Sequence, residues 1–88
     1  MQYVNHLNLP SNFEVEDKIK KVYAKYTQET VTSLTSLEFS HLSSLLLEIN
    51  DFYGVDIKAS HFVDTLLVFD LASIVISRLA FKQTGASQ

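Results

Sequence analysis

The sequence predicts an all-α fold, a small four-helix bundle of three long helices and one short one. Three observations carry that prediction. Apolar residues recur at helical spacing in three separate stretches. Two of those stretches follow a Ser/Thr-x-x-Glu pattern, a local signature of a helix start. The chain also holds only two glycines and one proline in 88 residues, too few turn-makers for many short strands. With 47% hydrophobic residues the chain can build one core, so 1–88 is read as a single domain, with 1–10 as a leader and 83–88 as a tail.

The first helix is expected over 12–26. Ser11 and Glu14 form its capping box, with the Ser hydroxyl on one backbone N–H and the Glu carboxylate reaching back to the other. Val15, Ile19, Val22 and Tyr26 make one stripe, with Phe13 and Tyr23 beside it. Glu16, Asp17, Lys18, Lys20, Lys21 and Lys25 take the other face. The lysines read as a solvated face. The polar run from Thr27 to Thr35 reads as a loop anchored by Val31 and Leu34.

The second helix is expected over 36–53. Thr35 and Glu38 repeat the capping pattern, which makes Thr35 the N-cap and Ser36 the first helical residue. A phosphate on Ser36 would then gain about 0.3–1 kcal/mol from the positive end of the helix dipole. Leu42, Leu45, Leu46, Ile49, Phe52 and Tyr53 form the buried face, widened by Leu37, Phe39 and Leu47. Gly54 is the natural stop. One short helical turn is expected over 60–64, carrying Phe62 and Val63. The last helix is expected from Leu66 to Phe81, with Val68, Leu71, Val75 and Leu79 on one face.

Composition narrows the function. A formal charge of −3 disfavours nucleic acid and anionic membranes and permits basic partners. Without cysteine there is no disulfide, thiol nucleophile or thiolate metal site. No apolar run is long enough to span a membrane, and no basic start precedes an apolar run as in a signal peptide. A cytoplasmic monomer is therefore the expectation. An enzyme is not expected: the histidines are scattered, and no glycine-rich phosphate loop is present. His41 lies within reach of Ser36 but has no carboxylate placed to orient it for hydrolysis.

Three motifs in order resemble the acyl carrier protein family over about residues 12–81. Leu34-Thr35-Ser36-Leu37-Glu38-Phe39 is similar to the Leu-Asp-Ser-Leu signature that opens the family's second helix. Phe52-Tyr53-Gly54-Val55-Asp56-Ile57 resembles the link after that helix. Asp64-Thr65-Leu66 and Val68-Phe69-Asp70-Leu71-Ala72-Ser73-Ile74-Val75 resemble the approach to the last one.

The resemblance implies a right-handed bundle and a 4′-phosphopantetheine arm, drawn from coenzyme A by a phosphopantetheinyl transferase and attached to Ser36. Acyl intermediates would travel on it as thioesters to a ketosynthase or to acyl-activating and acyl-transferring enzymes of a dedicated fatty-acid or polyketide-type pathway. It implies partner contacts at Thr35, Leu37, Glu38, His41, Glu48 and Asp51. It also implies an acyl pocket among Leu42, Leu46, Ile49, Phe62, Val68 and Leu71. Two features depart from the family: Thr35 stands where Asp is usual, and Ser36 to Gly54 is about three residues long. Counting back from Gly54 without a gap puts Phe39 in the serine's place. Either the second helix has an extra turn, or the protein is carrier-like and unmodified. The motif around Ser36 favours the first, and an unmodified helical adaptor is the alternative.

Overall fold

The computed structural model describes residues 9–62 and 66–84, with the side chains of 61, 83 and 84 excepted. The elements are α1 (Asn12–Thr27), β1 (Ser36–Leu37), α2 (Phe39–Tyr53), a single 3₁₀ turn (Ala59–His61), β2 (Leu66–Leu67) and α3 (Val68–Thr84). The all-α expectation holds at the level of three long helices. The short fourth element is one 3₁₀ turn, and a two-residue antiparallel ladder was not foreseen. Val63 and Asp64 of the expected short helix, residues 1–8 of the leader and 85–88 of the tail lie outside the described residues.

α1 starts as its sequence dictates. The Ser11 hydroxyl accepts from the Glu14 N–H at 3.1 Å, and the Glu14 carboxylate accepts from the Ser11 N–H at 3.0 Å. Val15, Ile19 and Val22 are buried, together with Tyr23. The helix ends at Gln28 in a left-handed conformation, its N–H donating to the Ala24 carbonyl. Phe13, expected beside the stripe, is exposed instead.

α2 starts three residues later than expected. Ser36 pairs with Leu67 and Leu37 with Leu66, so both are extended. Alternation along that strand turns Ser36 outward and Leu37 inward. The physical cause is the start of α3, whose first N–H groups need acceptors. Val68 N–H donates to the Thr35 carbonyl and Phe69 N–H to the Ser33 carbonyl, each at 3.0 Å. The Asp70 carboxylate accepts from the Leu67 N–H. Residues 33–37 are thus held to α3 and are not free to wind into α2. Leu66 and Leu67, expected in the last helix, are the other half of the ladder.

The core draws on every element. Leu42, Leu45, Leu46 and Ile49 of α2 meet the α1 stripe and Val68, Leu71, Ala72 and Val75 of α3, with Val55 and Ile57 closing the end. Burial of these side chains is the main stabilising term. Apart from the phenol of Tyr23, no polar or charged side chain is buried among the described residues. Phe52, expected on the buried face, lies exposed, with Lys18 4.0 Å above its ring and Tyr53 edge-on to it. Leu34, expected as a loop anchor, is also exposed, whereas Val31 packs on the core.

Gly54 ends α2 at φ 70°. There Lys82 of α3 donates to the Gly54 carbonyl, which ties down a helix end that runs past the expected Phe81 to Thr84. The Asn50 side chain makes a reciprocal pair with Ile57, donating to its carbonyl and accepting from its N–H at 2.9 Å each. That pair holds the link after α2 against the helix.

Candidate functional site

The start of α2 is built from a residue the sequence reading had not placed there. Glu38 is the N-cap, with no capping hydrogen bond from its side chain, and its N–H donates to the Tyr23 hydroxyl at 2.8 Å. Phe39 is the first helical residue and is 63% exposed. The expected capping box does not form. The Thr35 hydroxyl instead accepts from the Thr32 N–H at 2.8 Å, closing a turn one step earlier. Ser36 therefore stands on an extended strand, exposed, a full helical turn of sequence before α2. Its hydroxyl is accessible, but it is not among the free N–H groups of the helix mouth.

Between the last turns of α1, the loop after it and the start of α2 lies a polar groove of about 260 Å³. Ser36, Thr35, Glu38 and His41 line it with Tyr23, Tyr26, Thr27, Glu29, Thr30 and Val31. Four sequence-nominated residues thus come together, and the two tyrosines complete the wall. By periodicity alone Tyr26 belongs to the apolar stripe of α1 and Tyr23 lies beside it. The available signal was chemical: a tyrosine at the core edge needs a partner for its hydroxyl.

His41 sits between the two rings, stacked on Tyr26 at 6.0 Å and edge-on to Tyr23 at 6.0 Å. Its Nε2 lies 3.8 Å from the Glu38 carboxylate. About two turns further along α2, Glu48 takes Lys25 at 2.8 Å on one oxygen and the Tyr26 hydroxyl on the other. Those bonds hold the Glu48 carboxyl below the usual carboxylate range, Lys25 first and Tyr26 second. The same bonds from Glu48 raise Lys25 and Tyr26 above their ordinary values. Glu48 is thereby a strut between α1 and α2 more than a free contact. Asp51 is exposed. Leu37 is 4% exposed, so the expectation that it meets a partner is corrected: the ladder turns it into the core.

The residues nominated for an acyl pocket divide. Leu42, Leu46, Ile49, Val68 and Leu71 are close-packed members of the core cluster. Phe62 packs at the edge and lines a shallow groove of about 440 Å³ with Ser73, Ile74, Ser77 and Arg78.

The outer face of α2 is the other notable surface. Phe39 and Leu47, the latter 73% exposed, stand eight residues apart with Ser43 between them. Both had been expected to widen a covered face. Ser40 and Ser44 flank them, and no charged residue is exposed from Phe39 to Leu47.

Among the described residues no group of three or more His, Asp or Glu side chains could hold a metal ion, and no helix is long and apolar enough to cross a membrane. Comparison with protein-family models, with curated proteins and with solved structures gave no match.

Proposed function

We propose that the protein is a helical binding module that docks a partner through the start and outer face of α2 and performs no chemistry of its own. The observation that carries this reading is where α2 begins. Its first turn presents Phe39, in the place a carrier's serine would hold when the residues are counted back from Gly54. With Leu47, two turns on, it makes an i, i+4, i+8 ridge with Ser43. Two apolar anchors about 12 Å apart on an uncharged helix face suit a partner groove with matching pockets. Glu38 and Asp51 bracket that face, so a basic rim on the partner complements it.

A second reading is supported by the exposure of Ser36. In it the protein is an acyl carrier, with a 4′-phosphopantetheine arm on that hydroxyl bringing thioesters to partner enzymes of a dedicated fatty-acid or polyketide-type pathway. The extended strand leaves the hydroxyl open to a phosphopantetheinyl transferase. Its acyl chain would then have to part the core side chains of α2 and α3, because five of the six nominated pocket residues are already packed.

One experiment separates the two. The chain is incubated with coenzyme A and a broad-specificity transferase, and its intact mass is measured. The docking reading expects an unchanged mass. A gain of one phosphopantetheine, lost in Ser36→Ala, overturns it and establishes the carrier.

A further inference from the structure

We infer that the groove beside Phe62 on α3 is a binding site for a small carboxylic acid with an apolar body, its carboxylate held by Arg78. The inference rests on neither reading above: the groove lies on α3, and the acid is free, so no arm on Ser36 is needed. Two independent features converge on it. The first is charge. Arg78 is exposed and has no carboxylate partner among the described residues. Lys21, Lys25 and Lys58 each hold a carboxylate, Lys82 holds the Gly54 carbonyl, and Lys18 lies over the Phe52 ring. Among the described residues Arg78 is the only charged side chain lining the groove. On a chain of net charge −3 the groove is thus locally positive and favours an anion.

The second feature is the wall. The groove, of about 440 Å³, sets Phe62 and Ile74 beside Arg78 and the hydroxyls of Ser73 and Ser77. Ile74 and Arg78 are four residues apart on α3, as are Ser73 and Ser77, so each pair is adjacent on the helix surface. Neither hydroxyl has a hydrogen-bond partner among the described residues. Arg78 also lines a second groove of about 280 Å³ with Val55 and Phe81, so apolar surface continues past the guanidinium. A mostly apolar groove of this size, with a few polar groups to fix orientation, is the usual form of a small-ligand site. The guanidinium takes a carboxylate bidentately, and the two hydroxyls can donate to its remaining lone pairs. One free cation matches a monoanion. Lys82, the next cation along α3, is already held by the Gly54 carbonyl and would not meet the second charge of a phosphate monoester.

The test is an NMR titration of the full ¹⁵N-labelled chain. The probe is sodium 4-phenylbutyrate. The controls, at matched ionic strength, are 4-phenyl-1-butanol, which has the body without the charge, and sodium acetate, which has the charge without the body. Saturable shifts at Ser73, Ser77 and Arg78 are expected with phenylbutyrate. The alcohol should bind about tenfold more weakly, as expected when a charge-assisted pair is lost, and acetate should give no saturable shift. Arg78→Gln should weaken phenylbutyrate about tenfold, to the level of the alcohol, and leave the alcohol unchanged. Arg78 is exposed, so the variant should keep the fold, which its unchanged α1 resonances would show. No saturable shift with phenylbutyrate, equal binding of acid and alcohol, the same shift with acetate, or an Arg78→Gln chain that binds the acid as before overturns the inference.

Discussion

Ser11-Asn12-Phe13-Glu14 and Thr35-Ser36-Leu37-Glu38 carry the same helix-start pattern in two different surroundings. The first lies on the surface with no competing partner among the described residues, and its two side chains close on the two backbone N–H groups. The second lies between three other claims. α3 needs the carbonyls of Ser33 and Thr35, β2 pairs with Ser36 and Leu37, and the Tyr23 hydroxyl meets the Glu38 N–H. A cap adds about 1 kcal/mol. Burying Leu37 and satisfying the first donors of α3 together outweigh it, so the local signal loses and α2 opens at Phe39. A capping motif therefore decides a helix start only where tertiary contacts leave the segment alone.

The largest test of that contrast lies in Leu37 and Phe39. Leu37→Ala should cost about 2–5 kcal/mol, because a buried leucine leaves a cavity. Phe39→Ala should change stability by less than about 0.5 kcal/mol, because the ring is largely in solvent. Urea denaturation of the two variants checks this. The reverse ranking would place Leu37 on an exposed helix turn and restore the capping box.

The next effect separates the caps. Ser11→Ala should lose about 1 kcal/mol. Glu38→Ala should lose only a few tenths, the worth of a carboxylate near a helix N-terminus without a capping bond. Equal losses in thermal unfolding would mean that Glu38 caps after all.

The smallest effect is a pH dependence at the strut. The Glu48 carboxyl sits below the usual carboxylate range because Lys25, and then Tyr26, bond its charged form. Its folded value is depressed, so its contribution is present above the unfolded carboxylate range and is lost as pH falls through the folded value. Glu48→Gln should therefore flatten the acid limb of the stability curve, measured by denaturation at a series of pH values. The change should be slight, since the pair is exposed and screened.

Much of the fold was legible in the residues. Val15, Ile19 and Val22, then Leu42, Leu45, Leu46 and Ile49, then Val68, Leu71 and Val75 are all buried as their period requires. The site was less so. Thr35, Ser36, Glu38 and His41 do share one groove, but its walls come from tyrosines of α1, about fifteen residues away in sequence. No spacing rule reaches across that distance. Asn50 is the same case: on a polar face by period, it is tied to Ile57 by a loop that only the folded chain brings back.

The sequence by itself determined which faces are apolar, where α1 starts and where Gly54 ends α2, because each of these follows from neighbours within about one helical turn. The tertiary structure alone decided where α2 begins, that Leu37 points inward, and that Tyr23, Tyr26 and His41 meet. Those outcomes rest on hydrogen bonds and burial between segments far apart along the chain. Such contacts are worth more than a local cap wherever the two compete for the same backbone.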